Sequence, residues 1–164
     1  MNDDIKNEHS FKVTVKTTKD EKTIELLTPE TLRLFGMTLN DINSVSPDYA
    51  VPGCLYEEIG IARINHPCAG SVCAVFKDPL GQRCSIDFIV YHDRNPLRNH
   101  AGGNEHYNTG VRCVRENKTI RSFPSPIGHV IEDSPYIEII SDCDGIIERR
   151  KVLRDQQVKR IGEV

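Results

Sequence analysis

Phe11, Val13 and Val15 alternate with Lys12, Thr14 and Lys16, the period-two signature of a strand with one face in a core and the other in water. A polar turn at Thr18-Lys19-Asp20-Glu21 leads into a second short strand, Thr23-Ile24-Glu25-Leu26, so the chain is expected to open with a hairpin. Thr28-Pro29-Glu30-Thr31 reads as a helix start: Thr28 caps the orphan amides, Pro29 suits the first helical position and Glu30 sits at the positive end of the dipole. That one short helix, near 28–36, is expected to stop at Gly36. Residues 40–53, with Pro47 and Pro52, read as loop.

The pattern is clearest in the middle. Two β-type runs, Ser71–Lys77 and Arg83–Tyr91, flank Asp78-Pro79-Leu80-Gly81, which places Pro and Gly where a reverse turn wants them. Val111–Val114 and Thr119–Phe123 make a further hairpin around Glu116-Asn117-Lys118, ended by Pro124 and Pro126. Tyr136–Ile140 is a last strand, closed by the turn Asp142-Cys143-Asp144-Gly145. About seven strands and one short helix predict a mainly β fold, bordering on α+β, built as an antiparallel sandwich or an open barrel. Residues 1–9 read as a flexible leader and 10–145 as a single domain. Residues 146–164 read as a basic tail or C-terminal helix, on which Ile147, Val158 and Ile161 form a thin apolar stripe among Arg149, Arg150, Lys151, Arg154, Lys159 and Arg160.

Composition sharpens this picture by exclusion. The 164 residues are 38% hydrophobic and 27% charged, enough apolar material for one core. A net charge of −3 gives no electrostatic basis for binding nucleic acid. No run approaches the ~20 apolar residues that span a bilayer, and the polar, acidic start Met1–Glu8 lacks a secretory signal pattern, so a cytoplasmic protein without membrane contact is expected. The six cysteines contain no Cys-x-x-Cys, which argues against structural zinc and for reduced core residues. Aromatics are 6% of the chain and Trp is absent, which weakens any sugar- or base-stacking role.

The stretch 91–108 concentrates candidate chemistry, with three of the six histidines between two strands. His92, Asp93, Arg94, Arg98, Glu105, His106 and Tyr107 are the candidate binding residues. His92, His100 and His106, with Asp93 or Glu105, are the residue types that suit zinc or iron(II), although their spacing matches no metal motif, and no cofactor is expected. Cys73 follows His66 at short range, a thiol–imidazole pair, but its setting among Val72, Val75 and Phe76 reads as structural. No phosphate-cradling Gly loop and no Gly-x-Ser-x-Gly elbow occurs.

Three local resemblances accompany these residues. Arg63-Ile64-Asn65-His66-Pro67-Cys68 resembles the Asn-His-Ser-Cys signature of SET-domain lysine methyltransferases. Arg98-Asn99-His100-Ala101, followed by Ile127–Glu132 and Tyr136, is a second, looser alignment to the same family. It implies S-adenosylmethionine near Asn99 and His100, with Tyr136 lining a lysine channel and with Asn99, His100 and Tyr136 as catalytic candidates. The family's Gly-x-Gly strand and doubled Glu are missing. His66-Pro67 with Gly70-Ser71-Val72-Cys73 is similar to the His-Pro-Asn and Cys region of ubiquitin-conjugating enzymes, and Phe88–Tyr107 to the Asn-rich loop of starch-binding modules. The function expected first is a non-catalytic β-rich module that recognises or assembles with a protein partner, self-association included. The alternative is a small enzyme using 91–108, in its sharpest form a SET-like S-adenosylmethionine-dependent protein lysine methyltransferase.

Overall fold

The computed structural model describes residues 9–50, 55–59, 62–93 and 104–153. The chain begins with β1 (Phe11–Lys16) and β2 (Glu21–Glu25), continues through α1 (Pro29–Arg33) and a 3-10 turn (Leu39–Asp41), and reaches β3 (Ser46–Ala50) and β4 (Leu55–Ile59). The long β5 (Ala62–Lys77), β6 (Arg83–His92), β7 (Glu105–Arg115) and β8 (Lys118–Pro124) come next. The short β9 (Val130–Glu132), β10 (Tyr136–Cys143) and β11 (Ile146–Leu153) complete the described residues. All pairings are antiparallel. One sheet runs β11-β10-β1-β2 and the other β3-β5-β6-β7-β8, with β4 on β5 and β9 on β7. The architecture is a β-sandwich rather than a closed barrel.

The core lies between the two sheets. Phe11, Val13 and Val15 of β1, with Ile137 and Ile139 of β10, belong to the same buried cluster as Val72, Ala74 and Phe76 of β5, Ile86, Phe88 and Val90 of β6, and Val111 and Cys113 of β7. This is the alternation visible in the sequence, with every second residue inward. At Gly70 an added Cβ would stand 3.0 Å from Cγ2 of Val152, so a side chain there would press β5 against β11. A register shift between Cys68 and Gly70 interrupts the β5–β6 ladder; the first half of β5 pairs with β4 and the second half with β3 and β6.

The helix forms as its start signal predicts: Thr28 and Thr31 make a reciprocal capping box, and Pro29 occupies the first turn. Gly36 has φ +72°, and the Met37 amide donates to the Leu32 carbonyl at 3.0 Å, a left-handed helix stop. Leu32, Phe35, Met37 and Ile42 then join the buried cluster. Arg115 donates to the Phe35 carbonyl and to Oδ2 of Asp78, tying the helix exit to the β5–β6 turn.

Three expectations change. Residues 40–53, read as loop, contain the 3-10 turn and β3; Pro47 is accommodated because β3 is an outer strand, where one missing amide costs little. Glu105–Asn108, read as the end of a loop, is the start of β7. The stretch after Gly145, read as a helix or tail, is β11 at least as far as Leu153. Asp144 and Gly145 have φ +52° and +90°, and Cys143 pairs with Ile146. A two-residue turn of this kind returns the chain as a strand. Residues 1–8 of the expected leader and 154–164 of the expected tail lie outside the described residues.

Candidate functional site

β6 and β7 end side by side, with His92 opposite Tyr107 and the Asp93 amide donating to the His106 carbonyl at 2.9 Å. β9 pairs with the first residues of β7, Tyr107 against Val130, and so brings His129 beside His106. Nδ1 of His106 lies 2.8 Å from Nε2 of His129, with ring centroids 5.0 Å apart. Nδ1 of His129 is 3.1 Å from Oδ1 of Asn108 and 3.8 Å from Oδ2 of the buried Asp93.

Hydrogen-bond chemistry restricts the protonation pattern. The Asn108 carbonyl oxygen only accepts, so His129 carries a proton on Nδ1; its Nε2 in the neutral ring accepts from Nδ1–H of His106. His129 also lines a cleft of ≈ 260 Å³, with Val15, Thr17 and Lys22 on one side and Val130 and Ile131 on the other. Both of its ring nitrogens are already engaged within the protein.

Of the residues singled out in the sequence, Asp93, His106 and Tyr107 are buried at this junction and Glu105 sits opposite Glu132. His92 ends β6, while Arg94, Arg98, Asn99 and His100 lie outside the described residues. Of the metal trio only the His106 side chain is described, and among the described residues no three His, Cys, Asp or Glu side chains are grouped to hold a metal ion. Tyr136 stands on the other sheet, with the Lys151 ammonium 4.6 Å above its ring. His129 and Asn108 were not singled out. Asn108 lies two residues from His106 on β7 and so shares its face, whereas no local pattern connects His129 to His106; Gly128, with φ +71°, turns the chain into β9.

The cysteine environments bear on the nucleophile idea. Burial, and then the Asp87 carboxylate, push the Cys73 thiol far above its ordinary range. Burial pushes Cys113 up to about 12. Cys84 and Cys143 are raised by burial too, and their thiols approach the Gln82 and Val45 carbonyls. These are neutral thiols at physiological pH, poorly suited to attack. A folded pKa raised above the unfolded one makes a contribution to stability that is complete below the unfolded value and is lost as pH climbs through the folded one. Unfolding free energy is therefore expected to stay level up to pH 9.0 and to fall between there and about 12. Urea titrations across that range test this, and an unchanged midpoint would contradict the buried-thiol assignment.

A second feature lies on the four-stranded sheet. β11 is its outer strand, and among the described residues nothing pairs with its far side. Ile146 and Ile147 are 69% and 58% exposed, and Arg149, Arg150 and Lys151 follow them. From below, Tyr49 of β3 anchors this edge: its hydroxyl meets Ser141 Oγ at 2.9 Å and donates to Glu148, and the Arg150 guanidinium lies 3.7 Å over its ring. β11 is thus contacted on its inner face, while among the described residues its edge is unpaired. β2 at the opposite edge carries Glu21, Lys22 and Glu25, charges of both signs and no exposed isoleucine pair, whereas the charges of β11 are mainly positive and follow two exposed isoleucines. Among the described residues no helix is long and apolar enough to cross a membrane. Compared with known proteins, the chain matches no family model, no curated protein and no solved structure.

Proposed function

We propose that this β-sandwich is a non-catalytic recognition or assembly module, and that a protein partner docks on its β11 edge. The observation that supports this reading is the combination in one strand of an edge unpaired among the described residues, two exposed isoleucines and a contacted inner face. A row of unpaired amides and carbonyls is a template for another chain, and proteins that do not use such an edge usually blunt it. Among the described residues β11 carries no proline and no register shift, and charge, at Glu148, Arg149, Arg150 and Lys151, is the one such device it has. The small-enzyme alternative uses 91–108; there the described His106 bonds His129, and a catalytic imidazole needs a nitrogen free to meet substrate. Here both His129 nitrogens are satisfied internally.

Site-specific photocrosslinking tests the module reading. A benzophenone side chain placed at Ile147 is expected to yield a discrete adduct with one protein, and the same group at exposed Thr23 on β2 is not. The purified adduct partner should then bind the full chain directly, with affinity lowered about tenfold or more by Ile147→Lys. Equal labelling from both edges, or no direct binding, would remove the proposal.

A further inference from the structure

Resting on that reading, we infer that the partner contributes an extended acidic segment that joins β11 as a fifth strand of the four-stranded sheet. The backbone geometry comes first. The two-residue turn makes Cys143 and Ile146 the hydrogen-bonded pair next to it, and the alternation of an antiparallel ladder follows from there. Ser141–Glu148, Ile139–Arg150 and Ile137–Val152 bond inward, so the amides and carbonyls of Ile147, Arg149 and Lys151 point away from β10. Contacts on the far side of β10 agree: the Asp144 amide donates to the Ser10 carbonyl, while the Phe11 carbonyl turns to Leu26 on the β2 side. Three consecutive outward positions are the spacing an added strand needs, over roughly 20–25 Å of β11.

Charge then selects the occupant. β11 holds Arg149, Arg150 and Lys151 against the single Glu148, a net +2 from three positive and one negative side chain. Arg149 and Lys151 lie on the outer face in alternate positions, opposite Ile140 and Glu138 on β10. Arg149 reaches Glu138 only at 3.6 Å and keeps 58% of its side chain exposed. An incoming strand with acidic side chains at every second position meets both cations, each such cross-strand pair adding favourable energy. An apolar residue at its end covers Ile147.

A second copy of this chain fits less well than an acidic strand. Amide alignment sets odd residues against odd and even against even across the new ladder. Of the two registers with the greatest overlap, one sets Arg149 against its own copy, although it also brings Glu148 opposite Arg150. The other sets Arg150 against its own copy and Arg149 against Lys151, with no opposite-charge pair. Like charges directly opposite are destabilising, and an acidic strand brings none to Arg149 or Lys151.

The test uses the full chain and three fluorescein-labelled eight-residue peptides, alternating valine with glutamate, lysine or threonine, read by polarisation. The glutamate peptide is expected to bind at least about tenfold more tightly than the lysine peptide, and to weaken as salt rises. Arg149→Pro removes an outward amide and no bond to β10, so it should abolish peptide binding while the circular dichroism spectrum is kept. Should that variant misfold, the double variant Arg149→Glu, Lys151→Glu serves instead, and it should reverse the preference toward the lysine peptide. Hydrogen exchange should slow at residues 147, 149 and 151 on binding and stay unchanged at β2. Threonine or lysine peptide binding as well as glutamate overturns the acidic assignment. Binding of the crosslinked partner that survives Arg149→Pro overturns strand addition while leaving the module reading in place. A chain with no partner adduct at Ile147 defeats the module reading itself.

Discussion

Replacing Phe88 by alanine is expected to lower the free energy of unfolding by about 3–5 kcal/mol. Phe88 sits at the centre of β6, itself a central strand of the larger sheet, and is fully buried. Val72 on β5 and Val111 on β7 stand directly opposite it, so strands flank the ring on both sides and cannot collapse into the space it leaves. The cost therefore has two parts, lost transfer energy and a cavity that stays open. In a chain of this length each kcal/mol moves the melting temperature by roughly 2–4 °C, so a fall of about 6–20 °C should be seen. Phe88→Leu keeps most of the volume and should cost about half as much. Urea unfolding of both variants, at unchanged m-value, measures the difference. A loss under about 1.5 kcal/mol for the alanine variant would mean that Phe88 does not face the sandwich interior.

Glu132→Ala is expected to cost about 2–3 kcal/mol by a different route. Glu132 is buried on β9 of the larger sheet, yet it accepts from the backbone amide and hydroxyl of Thr18, in the turn of the smaller one, at 2.8 and 2.7 Å. It also accepts from the Asp133 amide at 2.9 Å. One side chain thus fastens two sheets across 114 residues of sequence. Part of the loss is offset, since Glu105 stands opposite and a like-charged neighbour is removed. Glu132→Gln keeps the shape but turns one acceptor into a donor facing Thr18, and should recover less than half of the stability. The cleft beside His129 is walled by the same turn and the same β9. The ring resonances of His129 should therefore shift in the alanine variant and stay in place in Phe88→Leu. An alanine variant with wild-type stability and unshifted His129 signals would show that Glu132 is not the fastening.

Much of the fold is legible along the chain because one-sided burial writes a period of two. Phe11–Val15 and Ser71–Lys77 read as strands for that reason, and each lies in one; Arg83–Tyr91 is a strand as well, although Cys84–Tyr91 are buried on both faces. Turn chemistry is legible too: Asp78–Gly81 turns as its residues require, with Gly81 at φ +83°. Legibility fails at the start of β7 and along β11. His106 and Tyr107 are both buried at the start of β7, where the two faces of the strand are covered at once, so neighbours that differ in polarity share one environment. β11 fails in the opposite sense. Ile146 and Ile147 are both exposed and three cations follow, because an outer strand needs little burial to hold its place. The Asp144-Gly145 turn was the better guide to that stretch than its apolar stripe.

By itself, then, the amino-acid sequence determined a mainly β antiparallel fold, the capped helix and the tight turns, all of which depend on residues within a few positions of one another. Tertiary structure alone decided that His129 meets His106, that Glu132 holds Thr18, and that β11 is an outer strand, unpaired on its far side among the described residues. Each of those depends on which strands become neighbours. Pairing partners lie 20 to more than 100 residues apart, and no local pattern of side chains specifies contacts at that range.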